Sequence, residues 1–219
     1  MSVKWRIVLA AVVVVGLAGA VWGFTAALES AAPTLTTLNA DRQETSFGDL
    51  TADALCAAGG TTIGLVSAVS FKPGTIPAPS PTRDEIAGLL QTPEETWAVS
   101  DLTGGQLRQA LERSLSRAPL PNTAFLQVSG LQVVYNATQP RDQRIVSLTG
   151  TQGPIQPEQH YEVAMPLFLA QGGSGYFQIF DKDSIVRRGS AALADVIFQF
   201  RLQHPDQVYT GQGRILPSG

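Results

Sequence analysis

Three glycines interrupt an apolar segment in the C-terminal half of the chain. The mostly apolar residues from Tyr161 to Leu169 predict a buried strand, and Gly172, Gly173 and Gly175 follow it at once. Glycines that end a buried strand mark a turn with positive φ, or a place where the backbone closely approaches a ligand. We therefore expect a sharp change of chain direction here, around which the neighbouring strands are arranged.

An aromatic residue stands on each side of these glycines. Phe168 precedes them and Tyr176 follows them. Two rings beside a glycine turn at a strand end are typical of a pocket for a flat ligand, and they are equally typical of a tight turn packed on a core. The residues alone leave both interpretations open.

The charge balance and the supply of metal ligands exclude several classes of function. The 219 residues include 15 Lys and Arg and 18 Asp and Glu, for a formal net charge of −3, so a nucleic-acid partner is not expected. One cysteine and two histidines far apart in sequence do not supply a His- or Cys-built metal centre. We predict no metal and no cofactor.

The N-terminus has the pattern of an export segment. Lys4 and Arg6 precede a charge-free apolar run over residues 7–24, with a tryptophan close to each of its ends. Small residues at 18–20 fit a cleavage site and favour a removable signal peptide, whereas the length of the run favours a membrane anchor. Both remain open, and both predict an exported domain that is periplasmic or extracellular.

The rest of the chain divides into a tether and one domain. We assign residues 1–25 to the signal peptide or anchor, residues 26–43 to a tether rich in Ala, Thr and Ser, and residues 44–216 to a single folded domain. Capping signals, apolar periodicity and turn residues predict the elements of this domain. Helices are predicted over 46–59, 82–90, 103–117 and 190–203, and strands over 63–69, 96–102, 125–136, 144–149, 161–169 and 208–216. Because helices alternate with strands that include hairpin neighbours, the fold class is α+β with mixed sheets packed with helices.

Four sequence motifs, in order along the chain, carry a resemblance to a known family. They lie at Glu44–Ala54, Asp101–Glu112, Phe125–Gly130 and Phe168–Tyr176. Together they resemble the C-terminal, substrate-binding domain of the 5′-nucleotidase / UDP-sugar hydrolase family, over about Glu44 to Arg214. The resemblance implies the fold of that domain and a nucleoside or nucleotide-like small molecule as its ligand.

The resemblance also implies how the ligand is held. In this family two aromatic rings clamp the nucleobase, and the corresponding positions here are Phe125 and Phe168. Hydrolysis in the family belongs to a separate N-terminal metallophosphatase domain with two metal ions, which does not fit in the roughly 40 residues before Glu44. We therefore expect no catalytic residues in this chain and no hydrolysis by it alone, with a separate metallophosphatase domain as a possible partner.

Two family positions carry different residues here. Lys72 stands where the family has an arginine that engages the phosphate side of the substrate, and it lacks the planar fork of that arginine. Gly172 and Gly173 match the family turn, but Ser174 replaces the aspartate that binds ribose hydroxyls. For both Lys72 and Ser174, an ordinary solvated or turn residue is the alternative to a binding role.

Two more substrate-binding candidates come from the resemblance. Arg117 matches an arginine of some family members at the end of a helix, where a cation also favours the helix dipole. Gln127 lies where a polar residue reaches the base, although it equally fits the opposite sheet face. Two functions remain. One is a binding module that holds its ligand between Phe125 and Phe168. The other is a structural or protein-interaction domain that has kept the fold and lost the ligand.

Overall fold

The computed structural model describes residues 34–78 and 80–218. The signal peptide or anchor predicted over residues 1–25, and the tether up to residue 33, lie outside them. The longest helix of the described part has 14 residues, and none of its helices has the length and apolar character needed to traverse a lipid bilayer.

Eleven strands and five helices are named below for the described residues. The strands are β1 Thr34–Thr36, β2 Ile63–Ser67, β3 Thr75–Pro77, β4 Trp97–Thr103, β5 Leu126–Ser129, β6 Leu131–Tyr135, β7 Ile145–Gly150, β8 Gly153–Pro154, β9 His160–Pro166, β10 Ile185–Arg188 and β11 Ile215–Pro217. The helices are α1 Ser46–Gly59, α2 Arg83–Gly88, α3 Gly104–Leu115, α4 Leu167–Ala170 and α5 Leu193–Gln203.

The strands form mixed sheets. The five-stranded sheet has the order β10-β4-β9-β2-β5, in which β2 and β9 are parallel and the other pairs are antiparallel. The four-stranded sheet has the order β11-β6-β7-β8, with β11 parallel to β6. A small third sheet pairs β1 with β3. The predicted α+β class with mixed sheets and helices is confirmed.

Helix α1 covers the five-stranded sheet. It packs against β2, β5, β9 and α5, and Phe47, Leu50 and Leu55 on it are completely buried. Its first turn is capped by Thr45, whose hydroxyl accepts from the N–H of Gly48, and it ends at Gly60 in the left-handed conformation. The sequence predicts the extent of this helix correctly, whereas Ser46, which is the capping residue that the sequence suggests, is the first helical residue and Thr45 is the cap.

The capping boxes predict the next two helices well. Thr82 with Glu85 begins α2 and Thr103 with Gln106 begins α3, each with both reciprocal hydrogen bonds. Such a box satisfies two N–H groups that would otherwise lack a partner, so it fixes where a helix starts. For α5 the prediction is less accurate: Ala192 occupies the cap position, and no side chain bonds there.

Several predicted strands differ from the structure. The strand predicted over 125–136 is divided at Gly130, which has φ 70°, so β5 and β6 belong to different sheets. The strand predicted over 161–169 ends at Pro166, because Leu167 begins the short helix α4. The strand predicted over 208–216 begins only at Ile215, and it runs to Pro217.

The packed domain extends beyond its predicted N-terminal boundary. Residues 34–36, assigned to the tether, form β1, and Leu35 is 2% exposed. The hydroxyl of Thr37 donates to the carbonyl oxygen of Lys72 at 2.6 Å. Residues 34–43 therefore belong to the domain, because Leu35, Thr37 and Ala40 are buried against it.

Candidate ligand-binding site

The candidate site lies at one end of the five-stranded sheet. The parallel strands β2 and β9 end at Ser67 and Pro166, so the segments that follow both strands leave the sheet at the same edge. Leu126, the first residue of β5, is paired with Ser67. Three segments that carry predicted site residues therefore meet at this edge: residues 67–72, residues 122–126 and residues 167–176.

The glycine turn is built from left-handed residues. Gly172, Ser174 and Gly175 have φ values of 85°, 55° and 77°. A Cβ on Gly172 would lie 2.6 Å from the Cα of Phe177, so the fold requires glycine there both for conformation and for space. The turn predicted from the sequence is confirmed, and it follows helix α4 rather than a strand.

Phe168 contacts this turn and is half exposed to solvent. A Cβ on Gly173 would stand 2.4 Å from Cε1 of Phe168, so the ring rests directly on the backbone of Gly173. The side chain is nevertheless 52% exposed. The N–H of Phe168 donates to Oε1 of Glu95 at 2.7 Å, which fixes the start of α4. Burial raises the pKa of Glu95.

The turn also contacts the end of β2. The hydroxyls of Ser174 and Ser67 lie 3.3 Å apart, within hydrogen-bond distance. The contact connects Ser174, the position predicted to bind ribose, to Ser67, the first residue of the segment 67–72 that follows β2. A hydroxyl that already bonds another hydroxyl retains further donor or acceptor capacity.

The buried Tyr176 and the half-buried Arg113 support the turn. Tyr176 is completely buried, donates its hydroxyl to the carbonyl oxygen of Ala124 at 2.5 Å, and stacks on Phe180 with ring centroids 5.1 Å apart. Burial raises the pKa of the Tyr176 phenol. The guanidinium of Arg113 lies 5.2 Å from the Tyr176 ring centroid and donates to the carbonyl oxygen of Ser174 at 2.8 Å.

Phe125 has a different environment from Phe168. Its side chain is 2% exposed and belongs to the hydrophobic core. Its backbone is also engaged, since its carbonyl accepts from the N–H of Ala68 at 2.8 Å. In the described structure the two predicted clamp residues therefore differ in accessibility: one ring is open to solvent and the other is enclosed.

Comparisons with known proteins match this fold and these motifs. The family model of the 5′-nucleotidase C-terminal domain matches residues 21–182. The chain belongs to this family. A snake venom 5′-nucleotidase from Naja atra is 38% identical over 92 residues, which cover 38% of this chain and 17% of that protein. The 5′-nucleotidase of Homo sapiens is 33% identical over 103 residues, which cover 43% of this chain and 18% of that protein.

Solved structures show the same fold. The 5′-nucleotidase precursor from Thermus thermophilus superposes with a TM-score of 0.74 at 24% identity, over 92% of this chain and 42% of that one. The NAD nucleotidase of Haemophilus influenzae superposes with a TM-score of 0.70 at 18% identity, over 86% of this chain and 37% of that one. The chain thus spans less than half of the length of each of these relatives.

Within this 5′-nucleotidase C-terminal domain, Gln127 is enclosed. It is 0% exposed, its Oε1 accepts from the N–H of Thr45 at 2.8 Å, and its Nε2 donates to the carbonyl oxygens of Ala40 and Gln43. Both N–H donors of the amide are used. In this conformation Gln127 fastens residues 40–45 to β5 and has no donor left for a base.

The two predicted cationic positions of the domain lie apart from these contacts. Lys72 is exposed, and its backbone N–H donates to the carbonyl oxygen of Leu89 at 2.9 Å. Arg117 is exposed and lines a cavity of about 670 Å³ that Arg113 also lines. No side-chain partner of Lys72 or Arg117 is found in residues 34–78 and 80–218.

Sequence reasoning missed Arg113, which contacts the turn directly. A Cβ on Gly175 would lie 2.0 Å from one of its terminal nitrogens, so this glycine makes room for the guanidinium. The sequence contains one signal for a role of Arg113: it lies four residues before Arg117, and residues at this spacing share a helix face. Among the described residues, no cluster of three or more His, Cys, Asp or Glu side chains has a metal-binding arrangement.

Proposed function

We propose that this chain is a binding module for a nucleoside or nucleotide, with Phe168 as the ring on which the base stacks. The observation that carries the proposal is a large aromatic side chain, 52% exposed, whose ring packs against Gly173 beside a left-handed turn. A ring held in this way loses little conformational entropy on binding, which favours affinity. Stacking a base on an aromatic side chain is worth about 1–3 kcal/mol.

One polar residue beside Phe168 suits the sugar of such a ligand: Ser174, on the same turn, offers a hydroxyl, and its contact with the buried hydroxyl of Ser67 holds it in place. Lys72, an exposed cation on the segment that follows β2, is proposed to serve the phosphate. Gly172 and Gly173 set the shape of the turn. Phe125 completes the clamp only if its enclosed ring becomes accessible when ligand binds, so the proposal rests on Phe168 first.

Isothermal titration of the full chain with adenosine, AMP and UDP-glucose tests this function. Phe168→Ala is expected to weaken binding about 5- to 150-fold, which corresponds to the loss of one stacked base. Phe177→Ala is the matched control, because Phe177 is also exposed, at 70%, and lies on the same turn. Absence of millimolar or tighter binding, or equal affinities for wild type and Phe168→Ala, would overturn the proposal.

We further propose that hydrolysis requires a separate metallophosphatase domain, and that this chain supplies recognition. The relatives are nucleotidases of which the chain covers a minor part. A mixture of this chain with such a domain should cleave AMP in the presence of divalent metal, whereas the purified chain alone should not. Turnover by the purified chain that survives chelation controls would contradict this division of roles.

The domain is proposed to act outside the cytoplasm, delivered by residues 1–25. The support is the basic and then apolar pattern of that segment. Intact-mass analysis of the protein recovered from the membrane and from the external fraction distinguishes an anchor from a cleaved signal. Recovery of the full-length chain in the cytoplasmic fraction would contradict export.

A second candidate function is protein interaction through the turn surface. It is favoured by the two exposed rings of Phe168 and Phe177 together with the enclosed ring of Phe125. Under this hypothesis the turn packs on a partner domain and binds no nucleoside. Phe177→Ser would then reduce association with the metallophosphatase domain in sedimentation experiments, and adenosine would produce no heat of binding.

A further inference from the structure

Four arginines line one cavity at the C-terminal end of helix α3. The cavity has a volume of about 670 Å³ and lies between the end of α3, the segment that follows it and the loop that joins β6 to β7. Its cationic residues are Arg113, Arg117, Arg141 and Arg144, and its remaining lining residues are uncharged. A concentration of like charge in one cavity of a chain with a net charge of −3 needs a physical reason.

Two of these guanidinium groups are held in place by the fold. Arg144 donates through Nη1 to the carbonyl oxygens of Leu115 and Ala118, the latter at 2.9 Å. Arg113 is positioned by Ser174 and by the ring of Tyr176, as described above. Its Nε is buried and has no hydrogen-bond partner within the described residues, so one donor beside the cavity is unsatisfied.

The other two guanidinium groups are exposed and unpartnered in the described part of the chain. Arg117 and Arg141 are exposed, and neither side chain has a hydrogen bond or ion pair within residues 34–78 and 80–218. Each guanidinium presents five N–H donors in a planar fork that matches phosphate oxygens. The cavity therefore combines anchored cations with exposed ones whose N–H donors are available to a ligand.

Two acidic residues lie near the cavity but do not line it. Glu112 is on the same helix, and its carboxylate accepts from the backbone N–H groups of Arg144 and Ile145. Asp142 follows Arg141 in sequence and lines a neighbouring cavity with Glu112. The backbone carbonyl groups at the C-terminal end of α3 carry partial negative charge, which partly offsets the positive charge of Arg144. The side-chain amide of Asn122 already occupies the carbonyls of Arg113 and Ser114.

We propose that this cavity binds an oligophosphate, meaning two or more linked phosphoryl groups. Four cations are better balanced by a ligand with several negative charges than by a single phosphate, which carries at most two. The cavity is also larger than one phosphate group. Arginine is also the side chain best suited to bidentate phosphate contacts. Phe125 and Phe168 do not line the cavity, so the site does not depend on base stacking.

Titration of the full chain with pyrophosphate and tripolyphosphate tests the proposal. Arg117→Gln/Arg141→Gln removes the two unpartnered cations and should leave the fold intact, and it is expected to weaken pyrophosphate binding at least tenfold. Arg188→Gln is the matched control, because this arginine is also exposed and unpartnered in the described structure, on β10. Binding should also weaken as salt rises, because the contacts are ionic.

Two results would overturn the oligophosphate site. One is the absence of pyrophosphate and tripolyphosphate binding at millimolar concentration. The other is an equal effect of the double variant and Arg188→Gln, which would indicate a general charge effect. Adenosine, which carries no phosphate, tests stacking separately: its binding can fail while pyrophosphate still binds, or the reverse.

Further ligands identify the source of the oligophosphate. If it is the phosphate chain of a nucleotide, ADP should bind more tightly than pyrophosphate and should lose that advantage in Phe168→Ala. If it is a free oligophosphate, ADP should gain nothing over pyrophosphate, and Phe168→Ala should leave both affinities unchanged. Each of these results supports an anion site at the arginine cavity.

Discussion

Arg214 and Asp53 form a two-bond ion pair that fastens the end of the chain to its first described helix. Nη1 and Nη2 of Arg214 lie 2.8 and 2.9 Å from the two carboxylate oxygens of Asp53. Glu44 supports the same connection, because its carboxylate accepts from the backbone N–H groups of Arg214 and Ile215. Glu44 and Asp53 belong to the first of the four motifs that identify the family, and in this structure both hold the fold together.

Arg214→Gln is expected to destabilise the domain by about 3 kcal/mol, since removing one partner of a largely buried pair leaves the other charge uncompensated. Arg214 and Asp53 are only 11% and 13% exposed. Urea unfolding followed by circular dichroism measures the change. Arg188→Gln should leave the midpoint unchanged, and a similar midpoint for both variants would contradict the role of the pair.

Asp49 makes stability depend on pH. It is 0% exposed, neither carboxylate oxygen has a hydrogen-bond partner in the described part of the chain, and Nε of Arg214 lies 3.7 Å away. Burial raises the pKa of Asp49 to about 8, against the opposing effect of Arg214. The folded state then holds a proton that the unfolded state has lost. Stability should fall as pH rises from about 4 to about 8, by at most about 1.4 kcal/mol per pH unit.

The Asp49→Asn variant isolates this effect, because the amide keeps the shape of the carboxyl group and does not titrate. The free energy of unfolding, measured in urea between pH 5 and pH 8, should decline less in the variant than in the wild type, so that the variant is the more stable protein at pH 8. Asp206→Asn, at an exposed position, serves as the control. Parallel pH profiles for wild type and Asp49→Asn would show that Asp49 ionises normally.

Local signals in the sequence predict the helices and the turn well. A capping box such as Thr103 with Gln106 satisfies N–H groups within four residues, so it needs no information from the rest of the fold. The left-handed residues of the turn, Gly172 and Gly175, are likewise recognisable because few other residues adopt that conformation. The family resemblance then supplies the arrangement of the sheets.

Accessibility in the site could not be predicted in the same way. Phe125 and Phe168 look alike in sequence, each at the start of an apolar motif, yet one ring is in the core and the other is exposed. The difference depends on what packs over each ring from distant segments. The arginine cavity depends in the same way on distant segments. Arg113 and Arg141 line one cavity only because the loop between β6 and β7 lies beside the end of α3.

Gly130 should tolerate no side chain. It has φ 70°, and a Cβ there would lie 1.7 Å from the carbonyl oxygen of Thr62. Gly60 has a similar φ of 62°, but a Cβ there would meet nothing within 4 Å. Gly60→Ala should therefore cost only the left-handed strain of about 1–2 kcal/mol, and Gly130→Ala should cost clearly more. Equal losses in thermal unfolding would mean that the backbone around Thr62 yields easily.

Gly173→Ala tests whether the posture of Phe168 matters for binding. Gly173 does not have a left-handed φ, so alanine introduces no such strain, but its Cβ would stand 2.4 Å from Cε1 and 2.6 Å from the carbonyl oxygen of Phe168, so the ring and the backbone of Phe168 must both shift. We expect a loss of stability of about 1–3 kcal/mol from overpacking and a weaker affinity for adenosine in isothermal titration at a temperature where the variant remains folded. Gly88→Ala is the matched control: its Cβ meets nothing within 4 Å, so stability should be unchanged or raised by about 0.4–1 kcal/mol and adenosine affinity unchanged. If Gly173→Ala binds adenosine as tightly as the wild type, the ring does not need its support on the turn, and stacking on Phe168 as proposed is wrong.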